Sequence, residues 1–446
     1  MTIRGFLVAA ALSSACNTLL AQDQWSLQQC LDYAMANNIE LKQGELSIEE
    51  SEASLSQGKG NLFPSLSFST NHSLNWRPWS QSTVNLSGGT LTQTQSDVSY
   101  NGSYSLSAQW TIWDGGKKYK NVDVYELNTE QSRLQQVQTA NSIEEQIMQY
   151  YVQILYQTEA VVVADSTLST AILQRDRARA MVEAGKMAKV ELAQLEAQVA
   201  QDEYSLVSNQ TALANYKLQL KQILELPAGQ DFDVATPDVA DDKVLEPIPD
   251  KDEIYQQALA SRPEVKLSQL SIQQADLQED LARRGFYPTL SMSAGVQTSH
   301  SSMSDDGVGA QLKKNVNNSL GLSLSIPILD GRSNRTNKAK AKIQKQESEL
   351  SLLNSQKDVY KQVESYWLNA TSAQRQYIAA KANVQSSADS YDLVSEQFRL
   401  GLKNIAELTT GKNNLMQAQQ QLLQCKYTAL MDIAMLRFYA GQGLNL

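Results

Sequence analysis

The sequence predicts a mixed α and transmembrane β chain of two structural repeats, each supplying two strands to a barrel and a long coiled-coil helical hairpin. Three observations carry this. First, motifs recur: Ala34–Lys42 returns as Ala258–Lys266 and Phe63-Pro-Ser-Leu-Ser as Tyr287-Pro-Thr-Leu-Ser, both 224 residues apart. Ile112-Trp-Asp-Gly115 returns as Ile328-Leu-Asp-Gly331, and Gly185 with Glu191 and Leu192 as Gly401 with Glu407 and Leu408, 216 residues apart. A fixed spacing marks a duplicated unit, and the slip of spacing between the Pro and the Asp-Gly places a loop of unequal length there. Second, apolar and polar residues alternate between Pro64 and Asp114, the period of a strand. Third, neither proline nor glycine interrupts 117–183 or 332–400.

The start of the chain reads as a signal peptide over residues 1–21: Arg4, a short apolar run from Phe6 to Leu12, then small residues up to Ala21. Cys16 offers a competing reading as a lipidated residue. No later stretch reaches the roughly 18 apolar residues of a membrane helix. The first repeat occupies 22–226, with a helix, a strand hairpin over about 63–113 and a helical hairpin turning near 185. The second occupies 251–446, with its strand hairpin over about 287–328 and its tip near 401. Residues 227–250, with four prolines and several aspartates, read as a linker outside the helices.

In the first hairpin Leu66, Phe68, Thr70, His72, Leu74 and Trp76 share one face, and the intervening Ser and Asn residues the other. Leu320, Leu322, Leu324 and Ile326 repeat the pattern. Long strands with one apolar and one small polar face fit a barrel with lipid outside and water inside. Four strands are too few to close, because bacterial barrels need at least about eight. The barrel is therefore expected to be shared between chains. Residues 77–97 are expected to form an extracellular loop longer than its counterpart at 301–317.

Each uninterrupted helix of nearly 70 residues would extend roughly 100 Å at about 1.5 Å per residue. The returning helices carry Leu192, Val199, Leu206, Leu213 and Leu220 in one copy and Leu408, Leu415, Leu422, Ala429 and Leu436 in the other, a heptad seam. Pro64 and Pro288 sit where helix becomes strand, since proline ends helical hydrogen bonding. Asp114-Gly115 and Asp330-Gly331 sit where strand becomes helix, with the aspartate suited to cap exposed amides.

From Trp25-Ser-Leu-Gln-Gln-Cys-Leu-Asp-Tyr-Ala34 to Leu436 the chain resembles the TolC family of trimeric outer-membrane efflux channels. The most specific motifs are Gly185-Lys-Met-Ala-Lys-Val-Glu191-Leu and Gly401-Leu-Lys-Asn-Ile-Ala-Glu407-Leu, which match the family's helical-hairpin tips. The resemblance implies a homotrimer in the bacterial outer membrane, a 12-stranded barrel made of four strands from each chain, and a helical barrel reaching into the periplasm. It implies that the tips, with Gly185, Lys186, Gly401 and Asn404, dock a periplasmic adaptor protein, and that Glu191 and Glu407 constrict the entrance. The family often has a second acid three residues on, where this chain has Gln194 and Thr410. The two glutamates also read as solvated helix-face charges.

The expected function is a passive outer-membrane duct for small molecules delivered by an inner-membrane pump. An exit duct for type I protein secretion and a trimeric coiled-coil surface scaffold are the alternatives. No enzyme activity or cofactor is expected. His72 and His300 fall in the apolar register of strands rather than in a metal-binding motif, and Ser56-Gln-Gly-Lys59 lacks the partner motifs of an S-x-x-K hydrolase. A net charge of −10 with scattered basic residues points away from nucleic acid.

Overall fold

The computed structural model describes residues 24–86, 89–237 and 241–445; the expected signal peptide, Cys16 included, lies outside them. In chain order the elements are β1 Gln24–Trp25, α1 Leu27–Asn37, α2 Ile39–Gly60, β2 Ser65–Leu86, β3 Gly89–Trp113, α3 Lys117–Glu183, α4 Lys189–Ile223 and β4 Asp233–Val234. The second half follows as α5 Asp241–Val244, α6 Lys251–Ser261, α7 Pro263–Arg284, β5 Thr289–Ser301, α8 Val308–Lys314, β6 Asn317–Ser325, α9 Ser333–Arg399 and α10 Ile405–Tyr439. Two compact units each draw on both halves: Leu46–Arg133 with Leu267–Leu352, and the remaining segments.

The first unit contains a four-stranded antiparallel sheet in the order β2-β3-β5-β6. Among the described residues no barrel closes, and β2 and β6 end the sheet on either side. Leu66, Phe68, Leu74 and Trp76, with Leu320, Leu322 and Leu324, stand 62–76% exposed on the apolar face. On the other face serines pair across the strands, Ser69 with Ser105 at 2.7 Å and Ser67 with Ser107 at 2.9 Å. The expected loop at 77–97 is instead strand: after a register shift between Arg77 and Ser80, pairing continues to Leu86 opposite Gly89. The threonine-rich run Thr90–Thr94 favours extended backbone, so the hairpin lengthens rather than opening into a loop. Its counterpart after β5 holds the short helix α8, whose Gln311 donates to the Ser301 carbonyl at 3.0 Å and accepts from its N–H at 2.8 Å.

One row of the apolar face is built around a missing side chain. Gly102 lies opposite His72 on β2 and His300 on β5. A Cβ there would come within 2.2 Å of the His300 ring. The bare glycine lets both imidazoles lean together, with ring centres 6.3 Å apart, between Tyr100 and Tyr104. Tyr100 Oη lies 2.8 Å from His72 Nδ1.

The junctions follow the expected punctuation. Pro64 and Pro288 immediately precede β2 and β5. Asp114 accepts from the Lys118 N–H at 3.0 Å and Asp330 from the Asn334 N–H at 2.8 Å. Between each aspartate and its helix, two successive residues are left-handed: Gly115 and Gly116 at φ +75° and +79°, Gly331 and Arg332 at +61° and +70°. Arg332 therefore occupies a conformation that the first copy gives to glycine.

The second unit is helical. Tyr151, Ile147, Met148, Ile154 and Leu155 of α3 are fully buried, as are Leu220 of α4 and Leu436 of α10. None of the heptad positions is exposed, in keeping with the expected seam. Asn38 and Arg262, 224 residues apart, break α1 from α2 and α6 from α7. Asn38 Oδ1 accepts from the Glu40 N–H at 2.8 Å, and its Nδ2 donates to the Ile223 carbonyl at 3.0 Å. Arg262 is 7% exposed, paired with Glu145 at 3.0 Å and Glu264 at 2.9 Å, and stacked 4.1 Å from the Tyr439 ring. The segment expected as a linker is tied down: β4 pairs in parallel with β1, Tyr151 donates to the Ala235 carbonyl at 2.7 Å, and Gln374 donates to the carbonyls of Val244 and Glu246 at 2.9 and 2.7 Å.

Arg332→Gly should stabilise the protein by about 1 kcal/mol, the usual cost of left-handed backbone at an L-residue, read as a higher denaturation midpoint. Asp432 supplies a pH prediction. It is 1% exposed, its Oδ2 has no hydrogen-bond partner, and burial pushes its carboxyl up to about 7. The folded-state value exceeds the unfolded one, so stability falls as pH rises from about 4 towards 7 and the penalty is complete above that. Asp432→Asn should raise the melting temperature at pH 8 and flatten its slope between pH 5 and 8; an unchanged slope would assign the pH dependence to other groups.

Candidate functional site

Both helical hairpins turn through the same backbone device. Gly185, at φ +71°, donates its N–H to the Val182 carbonyl at 3.0 Å, and the Lys186 N–H bonds the Met181 carbonyl at 2.8 Å. In the second hairpin Gly401, at φ +75°, donates to the Phe398 carbonyl at 2.9 Å, and the Leu402 N–H to the Gln397 carbonyl at 2.9 Å. These are the paired bonds of a Schellman turn, which satisfy carbonyls at a helix C-terminus. A Cβ on either glycine would meet no atom within 4 Å, so the positive φ alone calls for glycine.

The returning helices start differently. Asn404 caps α10: its Oδ1 accepts from the Glu407 N–H at 2.9 Å, and Glu407 accepts from the Asn404 N–H at 3.2 Å. Lys403 Nζ donates to the other oxygen of Glu407. The Lys403 contact first, and the Asn404 N–H second, hold the Glu407 carboxyl below the usual carboxylate range. In α4 the matching cap position is Ala188, which has no side-chain cap, and Glu191 lies half-buried in the first turn. The two glutamates are thus equivalent in sequence but not in bonding. Lys186, Gln194 and Thr410 are exposed, and the Thr410 hydroxyl returns to the Ala406 carbonyl at 2.8 Å.

Just behind the turns, Ala178, Leu195 and Ile405 form a buried cluster, joined by Met187, Leu192 and Phe398. Four helices contribute, so the two tips of one chain share a single apolar plug. Deeper in, Gln174 of α3 donates to the Tyr391 hydroxyl of α9 at 2.8 Å. Lys412 of α10 and Asp202 of α4, each 4% exposed, form a buried ion pair, and Gln198 donates to the other Asp202 oxygen at 2.8 Å. Sequence reasoning missed this pair. Its signal is broken repetition: the residue matching Lys412 is Glu196, which pairs with Arg179 at 2.9 Å, and the residue matching Asp202 is Ala418. No group of three or more His, Cys, Asp or Glu side chains fit to hold a metal occurs among the described residues.

The model of the outer membrane efflux protein family matches residues 30–225 and again 254–442. The chain belongs to the outer membrane efflux protein family. This efflux family protein is accordingly an outer-membrane protein with a periplasmic helical part. It is 26% identical over 182 residues to outer membrane protein TolC of Salmonella enteritidis, a match covering 39% of this chain and 37% of that protein. Toxin and drug export protein A of Aggregatibacter actinomycetemcomitans is 19% identical over 410 residues, covering 91% and 83%. In fold, the crystal structure of the CmeC outer membrane channel of Campylobacter jejuni superposes with a TM-score of 0.75 at 19% identity, over 94% of this chain and 87% of that one.

Removing one member of a buried ion pair strands the other's charge, at a cost of about 3–5 kcal/mol. Lys412→Ala should therefore destabilise the helical unit strongly, with faster amide exchange along α4 and α10. Lys412→Met, which keeps the stem but strands the Asp202 charge, should remain destabilised, and adding Asp202→Leu should recover most of the loss; full recovery by Lys412→Met alone would make packing of the lysine stem the larger effect.

Proposed function

We propose that this chain is the outer-membrane duct of a tripartite efflux system. Three copies close one 12-stranded barrel, and small molecules such as drugs, toxic compounds or metals pass through it from an inner-membrane pump by way of a periplasmic adaptor. The single observation that carries this reading is the two-faced open sheet, with exposed Leu66, Phe68, Leu320 and Leu322 on one side and paired serines on the other. Exposed leucines at that density suit hydrocarbon, and small uncharged side chains suit a water-filled lumen. The pump supplies the energy and this chain supplies the path.

The tips serve as the adaptor surface and, through Glu191 and Glu407, as the narrowest charged point. The apolar plug behind them favours a closed arrangement. An adaptor opens it only by contacting the open arrangement better, since a partner shifts an equilibrium by differential affinity. Type I protein export is the second reading, supported by the name of the Aggregatibacter relative.

Because Asn404 caps a helix, a photo-crosslinker there would disturb the tip. Lys186 and Leu402, both exposed, are the better positions. Crosslinking in cells should capture a periplasmic adaptor; capture of this chain alone would remove the docking role. Glu407→Gln keeps the capping partner while removing charge. With Glu191→Gln it should lower cation selectivity in planar bilayers, and unchanged traces would take both residues out of the constriction.

A further inference from the structure

The polar face of the sheet changes character towards the end farther from the long helices. Nearer the helices its rungs are serine on serine: Ser67 with Ser107 and Ser69 with Ser105, each hydroxyl bonded across the strands. The next rung sets Asn71 opposite Ser103, which lies opposite Ser299, and the one after sets Ser73 opposite Asn101, which lies opposite Ser301. Both rungs now carry an asparagine. Among the described residues neither amide has a hydrogen-bond partner, and neither do the Ser103 and Ser299 hydroxyls. Ser73 Oγ accepts only from Asn75, at 3.5 Å. An amide offers two donors and two lone pairs, which one short hydroxyl opposite cannot use up.

These six side chains floor a cavity of about 360 Å³. Rungs on one face lie about 7 Å apart and strands about 4.8 Å, so the floor measures about 7 by 10 Å. α8 walls the side where β6 stops. Gln311, 5% exposed, donates to the carbonyls of Ser301 and Asp306 at 3.0 and 2.6 Å and accepts from the Ser301 N–H at 2.8 Å. Asn315 donates to the Ser299 carbonyl at 2.7 Å. The two amides thus take over the stretch of β5 edge beyond Gln297, where β6 pairing ends. Ser99, on the same face one rung further out, is 7% exposed, so the floor ends against packed chain. Gly102, His300 and Ser304 complete the lining, and no Asp, Glu, Lys or Arg contributes to it. The charges on the neighbouring loop are spent on each other, Lys314 pairing with Asp306 at 2.6 Å.

We propose that this cavity binds a neutral saccharide. An ion entering it would give up water and meet no opposite charge. An apolar molecule would meet no apolar wall. A sugar ring presents hydroxyls that both donate and accept at close intervals, and so does a floor of serines and asparagines. The volume falls in the range of small-molecule sites, roughly 300–1,000 Å³. Every contact is a neutral hydrogen bond exchanged with water, so binding is weak, in the millimolar range. One chain builds the whole site; only its place inside a duct rests on the function proposed above.

The test uses the full chain, purified in a detergent without a sugar headgroup, with maltotriose as probe and saturation-transfer NMR as readout. The wild type should give transfer that saturates with maltotriose concentration, and a polyethylene glycol of similar size should give none. Asn71→Ser with Asn101→Ser extends the self-paired serine rungs, so it should leave the melting temperature unchanged and lower the apparent affinity at least about fivefold. Should that variant fold poorly, Asn71→Ala alone is read in the same way. Absence of saturable transfer in the wild type, or equal transfer in the folded variants, would overturn the site. In planar bilayers maltotriose should also block the current: block only from the side of α8 marks an external glycan, and block from both sides a cargo in transit. Saturable transfer to a protein that carries no current would leave the site standing and sink the duct.

Discussion

A sheet edge is a row of unpaired N–H and C=O groups, and in hydrocarbon each one left unpaired costs several kcal/mol. This sheet has two such edges, β2 and β6, and four strands are far too few to curl into a closed wall alone. The rest of the molecule answers that constraint. The apolar face is displayed before it has anything to cover, the glycine-rich junctions reverse the backbone within two residues, and the long helices leave each junction already capped by Asp114 or Asp330.

Duplication solves the construction problem economically and then departs from itself where the two halves have different work. The backbone devices are copied closely: left-handed pairs at both strand-to-helix junctions, Schellman turns at both tips, and helix breaks at Asn38 and Arg262. The side-chain chemistry laid on them is not. Arg262 sits in a web of Glu145, Glu264 and Tyr439, while Asn38 only bridges backbone. Glu407 is locked into a cap, while Glu191 follows an uncapped Ala188.

Features with a local physical cause were legible in the sequence. Period-two alternation located the strands, the absence of proline and glycine located α3 and α9, and Gly185 and Gly401 were readable as turns because φ alone demands them. What escaped were features decided by tertiary position. Residues 77–97 read as loop because serine, glycine and threonine are abundant there, yet pairing with a neighbouring strand prolongs the hairpin. The stretch at 227–250 read as a linker outside the helices, but what holds it there did not, because the side chains that do so, Tyr151 and Gln374, lie far away in sequence. Lys412 and Asp202 were invisible because a buried pair and two solvated charges look alike until the helices are placed.

The bare Gly102 has a consequence for how this sequence can drift. Any side chain at 102 must take the space of the His300 ring, and any residue smaller than His300 leaves a gap above the glycine. The two positions therefore form one mutational unit: a change at either is tolerated only with its complement at the other. Descendants of this chain would be expected to alter them as a pair, leaving a correlated trace between β3 and β5 that records their packing.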